Sequence, residues 1–348
     1  MKISFFNYPI LFALIFFSKI SFCHHGFAWS DQATFAGTKN LASQYNYNSS
    51  GSSIKVTYQS TGRYLVQFDD LGDNFSFHGG HVQVTAYGSN KSYCKVADWN
   101  RFRKINVTVA CFNSLGESLD SQFTISVRNP ESNDPSYAYT YADEPNETEY
   151  TTESKYTRTP GNQVVIKKIS TGSYTATFKG LSAYLFEGAH VQVTTAGDNS
   201  HSCQIKSWYK VATDLQTNIS CFTTNGSPVN TPFLIHVTAQ TFHGEDSMWT
   251  AYAWGSSPTT ASYIANSYYT KPAATINRSA VGVYKVNFTG VSTFGKSNVQ
   301  VSTYGNDFTH CKVHYWSQAG SITSTVVNCF DQYGFFKDSL FVVRLVYK

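Results

Sequence analysis

The sequence lacks the features that mark most nucleic-acid-binding proteins and many enzymes. Only 14% of its 348 residues are charged, the formal net charge is +4, and no basic run occurs. A nucleic-acid surface needs clustered positive charge, so this composition argues against one. The GxSxG, HExxH and CxxC motifs are absent, so the sequence carries no signature of these hydrolase, metallopeptidase or dithiol redox sites. We therefore predict a non-enzymatic protein without a cofactor.

Long apolar segments are also scarce. The longest, "PILFALIFF" at 9–17, follows Lys2 and precedes "SFC" at 21–23, which places small residues at positions −3 and −1 before a cut after Cys23. This arrangement predicts a signal peptide over residues 1–23, and the segment is too short to read as a membrane span. No later part of the sequence is long and apolar enough to predict a transmembrane segment. We expect a secreted protein, extracellular or periplasmic.

Cysteine is limited to seven residues, and removal of the signal peptide leaves six. An even number of cysteines in an oxidising compartment indicates disulfides. A metal site would need four ligands close together, which the spacing does not favour.

The sequence contains an internal repeat. The pattern Cys-x-apolar-x-x-Trp followed by Cys-Phe occurs three times, and its first cysteines are 109 and 108 residues apart (203−94, 311−203). Other segments recur in the same phase, namely "GRYLVQF" at 62–68 with "GSYTATF" and "GVYKVNF", and "HVQVTAYG" at 81–88 with "HVQVTTAG" and "NVQVSTYG". Recurrence at this period indicates one domain present in three copies.

Each copy has the pattern of short β-strands. In "GRYLVQF", Tyr64, Val66 and Phe68 share one face, and this alternation recurs between turns rich in Gly, Asn, Ser and Asp. The pattern predicts an all-β protein of three tandem β-sandwich-like repeats of about 110 residues. The predicted domains are a signal peptide at 1–23 and repeats at 24–134, 135–247 and 248–348. Because the linkers are short, we expect a semi-rigid rod, and we expect 135–247 to fold alone.

The two cysteines of each repeat fit one hairpin. If strands 94–99 and 105–112 pair around a five-residue loop, Cys94 faces Cys111 and Val96 faces Val109, because both pairs sum to 205. The same reasoning predicts the pairs Cys203–Cys221 and Cys311–Cys329. A disulfide closing a loop of this size contributes on the order of 3 kcal/mol.

The recurring pattern also carries a resemblance. Gly-x-Tyr-x-Val-x-Phe, then Val-Gln-Val-Thr-Ala-Tyr-Gly and Cys-Lys-Val-x-x-Trp, with "AYAW" leading the unit, resembles uncharacterised secreted bacterial proteins with tandem single-disulfide β repeats. It covers essentially the whole mature chain and implies a β-sandwich-like fold, with no catalytic residues to transfer. Repeat 2 departs from it at Ala176 and at "TTAG", residues 194–197.

Three recurring tryptophans, Trp99, Trp208 and Trp316, end the first strand of each predicted hairpin. They either pack over the hairpin or form stacking platforms for a ligand such as a sugar ring. We therefore expect a binding or surface-interaction protein with an unknown extracellular partner, a glycan or cell-surface component. A purely structural spacer or matrix protein is the second interpretation.

An enzyme is the third interpretation. Cleavage after Cys23 would leave His24 and His25 at the N-terminus, where an amine and an imidazole can chelate copper, with His78 or His81 as a further ligand. Copper-dependent polysaccharide-active enzymes also place an N-terminal histidine on a β-sandwich, although nothing else in this sequence resembles them. Other recurring polar residues suggest structural roles: turn capping for Asp120, Asn230 and Asp338, and satisfied or exposed histidines for His81 and His190.

Overall fold

A computed structural model of the protein describes residues 24–72, 79–129, 137–185, 187–238, 242–243, 248–292 and 295–348. Within these ranges the chain forms β-strands and four short 3₁₀ turns, and no α-helix occurs. The predicted all-β class is confirmed. The predicted signal peptide lies outside the described residues, and the predicted boundary at 134 falls outside them as well.

The described residues form 27 strands, which follow a recurring order in the three repeats. Repeat 1 contains β1 His24–Ser30, β2 Thr38–Asn40, β3 Tyr47–Asn48, β4 Ile54–Ser60, β5 Arg63–Phe68, β6 His81–Tyr87, β7 Tyr93–Phe102, β8 Lys104–Phe112 and β9 Gln122–Asn129. Repeat 2 contains β10 Tyr137–Ala142, β11 Glu149–Thr151, β12 Thr157–Arg158, β13 Val164–Ser170, β14 Ser173–Phe178, β15 His190–Thr195, β16 Ser202–Val211, β17 Asp214–Phe222 and β18 Phe233–Thr238. After β19 Phe242–His243, repeat 3 contains β20 Met248–Gly255, β21 Ser262–Ile264, β22 Ala274–Ala280, β23 Val283–Thr289, β24 Ser297–Tyr304, β25 Thr309–Ala319, β26 Ile322–Asp331 and β27 Leu340–Tyr347. The 3₁₀ turns are Ser43–Tyr45, Ser154–Tyr156, Leu181–Tyr184 and Ser267–Tyr269.

Each repeat is built from two antiparallel sheets. The outer sheet has the order β2-β4-β5-β8-β7 in repeat 1, β11-β13-β14-β17-β16 in repeat 2 and β21-β22-β23-β26-β25 in repeat 3. The inner sheet has the order β6-β9-β1-β3, β15-β18-β10-β12 and β24-β27-β20-β19. The first strand of every repeat therefore pairs with the last strand of the same repeat. This pairing makes each repeat a sandwich with its own apolar centre.

The alternation read from the sequence places the core between the two sheets. Tyr64, Val66 and Phe68 on β5 are fully buried, and they join Val82 and Val84 of the inner strand β6 in one cluster. The intervening residues of β5 are partly exposed on the outer surface. Corresponding clusters fill repeats 2 and 3.

The recurring acidic or amide residue before the last strand anchors a turn. The Asp120 carboxylate accepts a hydrogen bond from the backbone N–H of Gly62 at 2.7 Å and lies 3.4 Å from the Tyr64 hydroxyl. Asn230 and Asp338 make the corresponding contacts in the other repeats. Gly62 has a φ of 68°, and a Cβ there would lie 2.5 Å from the Cys111 carbonyl oxygen, so glycine is required. The predicted capping role is thus present, although the capped turn belongs to the β4–β5 hairpin.

The predicted cysteine pairing in the disulfide hairpin is confirmed, but the predicted lengths of its strands and loop are wrong. Cys94 lies opposite Cys111 and Val96 opposite Val109, with Cα atoms 4.1 Å apart across the disulfide. The disulfides Cys203–Cys221 and Cys311–Cys329 are formed in the same way. However, a bulge follows Val96, and the strands then continue to a tight turn centred on Arg103. The five-residue loop is absent, and the recurring tryptophans lie within their strands.

The repeats close into a ring. Ile205 of repeat 2 pairs in parallel with Tyr304 of repeat 3, and Val313 of repeat 3 pairs in parallel with Tyr87 of repeat 1. The corresponding bridge between repeats 1 and 2 joins Val96 to Ala196. Corresponding residues thus connect each repeat to the next one, which is the closed form of a head-to-tail contact. The predicted rod is wrong, because repeat 3 bonds directly to repeat 1 around a pseudo-threefold axis.

Candidate functional site

The recurring tryptophans lie where the repeats meet, and each is surrounded by aromatic residues of the next repeat. We call these junctions the 1–2, 2–3 and 3–1 interfaces. The rings of the 1–2 interface are Trp99, Tyr141 and Tyr156; those of the 2–3 interface are Trp208, Trp254, Tyr269 and Tyr304; those of the 3–1 interface are Trp316, Trp29, Tyr45 and Tyr87.

At the 3–1 interface, Trp316 contacts three rings of repeat 1. Its centroid lies 5.4 Å from Tyr87, 5.8 Å from Trp29 and 5.9 Å from Tyr45. The three rings meet Trp316 edge to face, which is a favoured geometry for aromatic pairs. The indole N–H donates to the Ser297 hydroxyl at 3.1 Å. All four rings are partly exposed, so this cluster reaches the surface.

The 2–3 interface repeats this arrangement with a more deeply buried tryptophan. Trp208 lies 5.4 Å from Tyr269, 5.6 Å from Tyr304 and 6.0 Å from Trp254. Its indole N–H donates to the Gly188 carbonyl at 2.7 Å. The three surrounding rings remain partly exposed.

The 1–2 interface differs because it has one ring fewer. Trp99 lies 4.7 Å from Tyr141 and 5.5 Å from Tyr156, while Ala196 occupies the position that is tyrosine at the other two interfaces. The buried indole N–H of Trp99 has no acceptor among the described residues. A cavity of about 70 Å³ opens beside this tryptophan.

The structure places the three predicted stacking residues in packed positions. Trp99 and Trp208 are 8% and 7% exposed, whereas Trp316 is partly exposed. Their packing partners lie across the repeat junctions, not only over their own hairpins. The faces of Trp99 and Trp208 are therefore occupied by protein, and the surface of each interface is formed mainly by the rings around the tryptophan.

Polar side chains of the inner sheets meet at the pseudo-threefold axis. Gln83 donates to the Val193 carbonyl at 3.1 Å, and Gln192 donates to the Gln300 carbonyl at 3.0 Å. Thr85 donates to the Gln300 side chain at 2.7 Å. These groups are buried and join all three repeats. Hydrogen bonds therefore fix the register between repeats, as buried polar groups require partners.

Three histidines lie in the same region. His81 and His236 have ring nitrogens 3.2 Å apart, and both are buried, as is His190. Burial lowers the pKa of His81 to about 3 and lowers the pKa values of His190 and His236 well below their ordinary range, with the charge of Arg344 adding to each effect. The imidazoles are therefore neutral at neutral pH.

A second set of contacts closes the ring near the disulfides. The Lys95 ammonium group donates to the backbone and side-chain oxygens of Asn199 at 2.9 and 2.8 Å. Lys312 makes the corresponding bonds to Asn90 of repeat 1, and Gln204 bonds to the Asp307 carbonyl of repeat 3. A small cavity of about 50 Å³ lies beside these contacts and is lined by all three repeats. It has room for a few water molecules.

The histidines of the predicted copper site have different neighbours. His25 is buried and stacks on Tyr47 at 5.0 Å, whereas His81 contacts His236 near the axis. His78, the other possible ligand, lies outside the described residues. Among the residues that the structure describes, no group of three or more His, Cys, Asp or Glu side chains could hold a metal ion.

Sequence reasoning missed the axial polar residues. The available signal was Gln83, Gln192 and Gln300, which recur between core valines on a strand. A polar residue kept at one position in all three copies indicated that the second face of this strand also has a fixed environment.

The described residues include no helix that is both long and apolar enough to cross a bilayer. Comparisons with protein-family models, curated proteins and solved structures found no match to this chain.

Proposed function

We propose that the protein is a secreted, non-enzymatic binding protein that holds extracellular saccharides at the three interfaces between its repeats. The observation that supports this proposal is the threefold occurrence of one aromatic arrangement. At each interface, partly exposed tyrosine or tryptophan rings surround a packed tryptophan. Three intramolecular disulfides fit an oxidising, extracellular environment.

The chemistry of the rings favours sugars. Aromatic faces pack against the C–H faces of pyranose rings, and tyrosine hydroxyls can hydrogen-bond at the rim. A tyrosine of the 3₁₀ turn occurs at every interface, as Tyr45, Tyr156 and Tyr269. The closed arrangement of the repeats fixes the three interfaces relative to one another. Weak contacts of the three interfaces with one polymer can therefore reinforce each other through effective concentration.

A glycan array probed with residues 24–348 tests the proposal. We expect binding of one saccharide class, and we expect replacement of Tyr45, Tyr156 and Tyr269 by Ala together to reduce the signal at least several-fold. Tyr315→Ala is the matched control, because Tyr315 is 41% exposed on the strand of Trp316 but lies outside the 3–1 cluster.

Two results would count against the proposal. If the triple variant keeps its melting temperature and full array signal, the interfaces are not the binding surface. If the native protein binds no saccharide, and Trp→Phe changes lower only the melting temperature, the spacer interpretation is favoured. Polysaccharide oxidation that depends on added copper would instead support the enzyme.

A further inference from the structure

The cavity at the 1–2 interface is lined by groups that donate hydrogen bonds. Its walls are formed by Gly79, Trp99, Asn100 and Arg101 of repeat 1 and by Lys155 and Tyr156 of repeat 2. The Gly79 N–H donates to the Lys155 carbonyl, which joins the two repeats at this point. The cavity therefore lies between two repeats and would not exist in a single repeat.

The tryptophan of this cavity differs from its two counterparts. The indole N–H groups of Trp208 and Trp316 each have an acceptor in their own repeat. The corresponding N–H of Trp99 is buried and has no acceptor among the described residues. A buried donor without a partner costs about 1–3 kcal/mol, so such a group in a cavity wall is a sign of a binding site.

The charge of the lining is positive. Arg101 and Lys155 both line the cavity, and none of its lining residues within the described part of the chain is acidic. Lys155 forms an ion pair with Glu153 at 2.6 Å, but both side chains are more than half exposed. An exposed pair of this kind is weak, so a carboxylate in the cavity can compete for the ammonium group.

We propose that this cavity binds the carboxylate group of an acidic saccharide. A volume of about 70 Å³ is large enough for a carboxylate group and the carbon next to it. The guanidinium of Arg101 suits a carboxylate, because its planar fork matches the two oxygens. The sugar ring itself would lie outside, against Tyr156, which is partly exposed. This inference rests on the proposed saccharide binding and names its charge class.

The test uses two ligands with the same sugar backbone, one with free carboxylates and one with neutral methyl esters. An oligomer of galacturonic acid and its methyl-esterified form are titrated into residues 24–348 by calorimetry. We expect the acid form to bind and Arg101→Gln to weaken it by about tenfold, the loss expected for one charge-assisted hydrogen bond. Trp99→Phe, which keeps a ring but removes the N–H, should also weaken it. Lys167→Gln is the matched control, since this exposed lysine lies on the outer sheet of repeat 2.

The outcomes separate this inference from the broader proposal. If saccharides bind but Arg101→Gln and Trp99→Phe leave the acid form unaffected, the carboxylate site is refuted and the general function stands. Equal binding of the acid and ester forms has the same meaning. If no saccharide binds and an acidic peptide binds in an Arg101-dependent manner, the cavity takes carboxylates but the saccharide class is wrong. If neither binds, both proposals fail.

Discussion

Lys312 allows a quantitative test of the contacts that close the ring. Its side chain is completely buried, and its ammonium nitrogen donates to oxygens of Asn90 and to the Ser92 hydroxyl. Repeat 2 has Gln204 at the corresponding position, which also bonds to the following repeat. The substitution Lys312→Gln therefore introduces a residue that this fold already uses there, while it removes the titrating group.

The expected effect follows from the pKa of this lysine. Burial lowers the pKa of Lys312 from 10.5 to about 7. Between pH 7 and 10.5 the unfolded chain therefore binds about one proton more than the folded chain, so the free energy of unfolding rises with pH. The slope is about 1.4 kcal/mol per pH unit for one lysine. From pH 7.5 to 9.5 the native protein should thus gain up to about 2.7 kcal/mol that Lys312→Gln does not gain.

The window of pH matters because tyrosines act in the opposite direction. Burial raises the pKa of Tyr174 to about 12 and raises that of Tyr64 further. Above pH 10 these groups ionise first in the unfolded chain, so their contribution to stability is lost as pH rises. Measurements up to pH 9.5 therefore report on the lysines.

Urea unfolding followed by tryptophan fluorescence, with disulfides intact, measures the difference at pH 7.5, 8.5 and 9.5. The double variant Lys95→Gln/Lys312→Gln should lose a further slope of similar size, because burial also lowers the pKa of Lys95 to about 7. If native protein and Lys312→Gln give parallel curves, the lysine stays charged when folded. The oxygens around it would then outweigh its burial, and the reasoning above would be refuted.

Four further predictions concern other parts of the fold. Peptide mapping without reduction should find three disulfides, each within one repeat; free thiols or links between repeats would contradict this. Because the pKa of His81 is lowered in the folded protein, the free energy of unfolding should fall as pH drops below about 6.5. His81→Asn introduces the residue that repeat 3 has at this position, Asn298, and should reduce this loss in acid unfolding curves. Asp120→Ala should lower the free energy of unfolding in urea by about 1–3 kcal/mol, since it leaves the Gly62 N–H without its acceptor. Residues 135–247 should fold alone into a β domain, which circular dichroism can measure. Their stability should be lower than that of the full chain, because their axis-facing polar groups lose partners. A circular dichroism spectrum of an unfolded chain under oxidising conditions would refute independent folding.

The pairing within each repeat could be predicted because it depends on local patterns. Period-two alternation in β5 identified the buried residues, and the equal sums for Cys94–Cys111 and Val96–Val109 identified the hairpin register. The bulge after Val96 could not be predicted, because an extra residue shifts the register of later positions without changing their polarity. From there on, Trp99 lies opposite Val107, outside the register set by the disulfide.

The arrangement of the repeats could not be predicted in the same way. Contacts such as Val313 with Tyr87 join residues more than two hundred positions apart and follow no periodicity. Short linkers suggested a rod, yet they are equally compatible with a ring when the turn per repeat closes after three. The recurrence of the tryptophans was visible in the sequence, with packing and ligand stacking as the two interpretations, but their partners across the junctions depend on that closure.

Crowding at the pseudo-threefold axis also explains why the three repeats have different residues where they meet. On the last inner strand, Arg344 corresponds to Ser126 and His236, and all three are buried. The charge of Arg344 affects His81, His190 and His236, so this one side chain lies near several axial groups at once. Three arginines in these positions would place like charges together in a buried site, at a cost of several kcal/mol each.

A homotrimer cannot avoid that problem, because identical subunits must place identical residues around a threefold axis. A single chain with three copies can assign a cation to one position, an imidazole to another and a hydroxyl to the third. The same logic applies to Lys95, Gln204 and Lys312, where one of three equivalent cations is replaced by an amide. It applies to the 1–2 interface as well, where Ala196 stands in place of a tyrosine. Fusion of the repeats therefore permits one interface to acquire a charged cavity while the other two keep their fourth ring, which a symmetric assembly could not do.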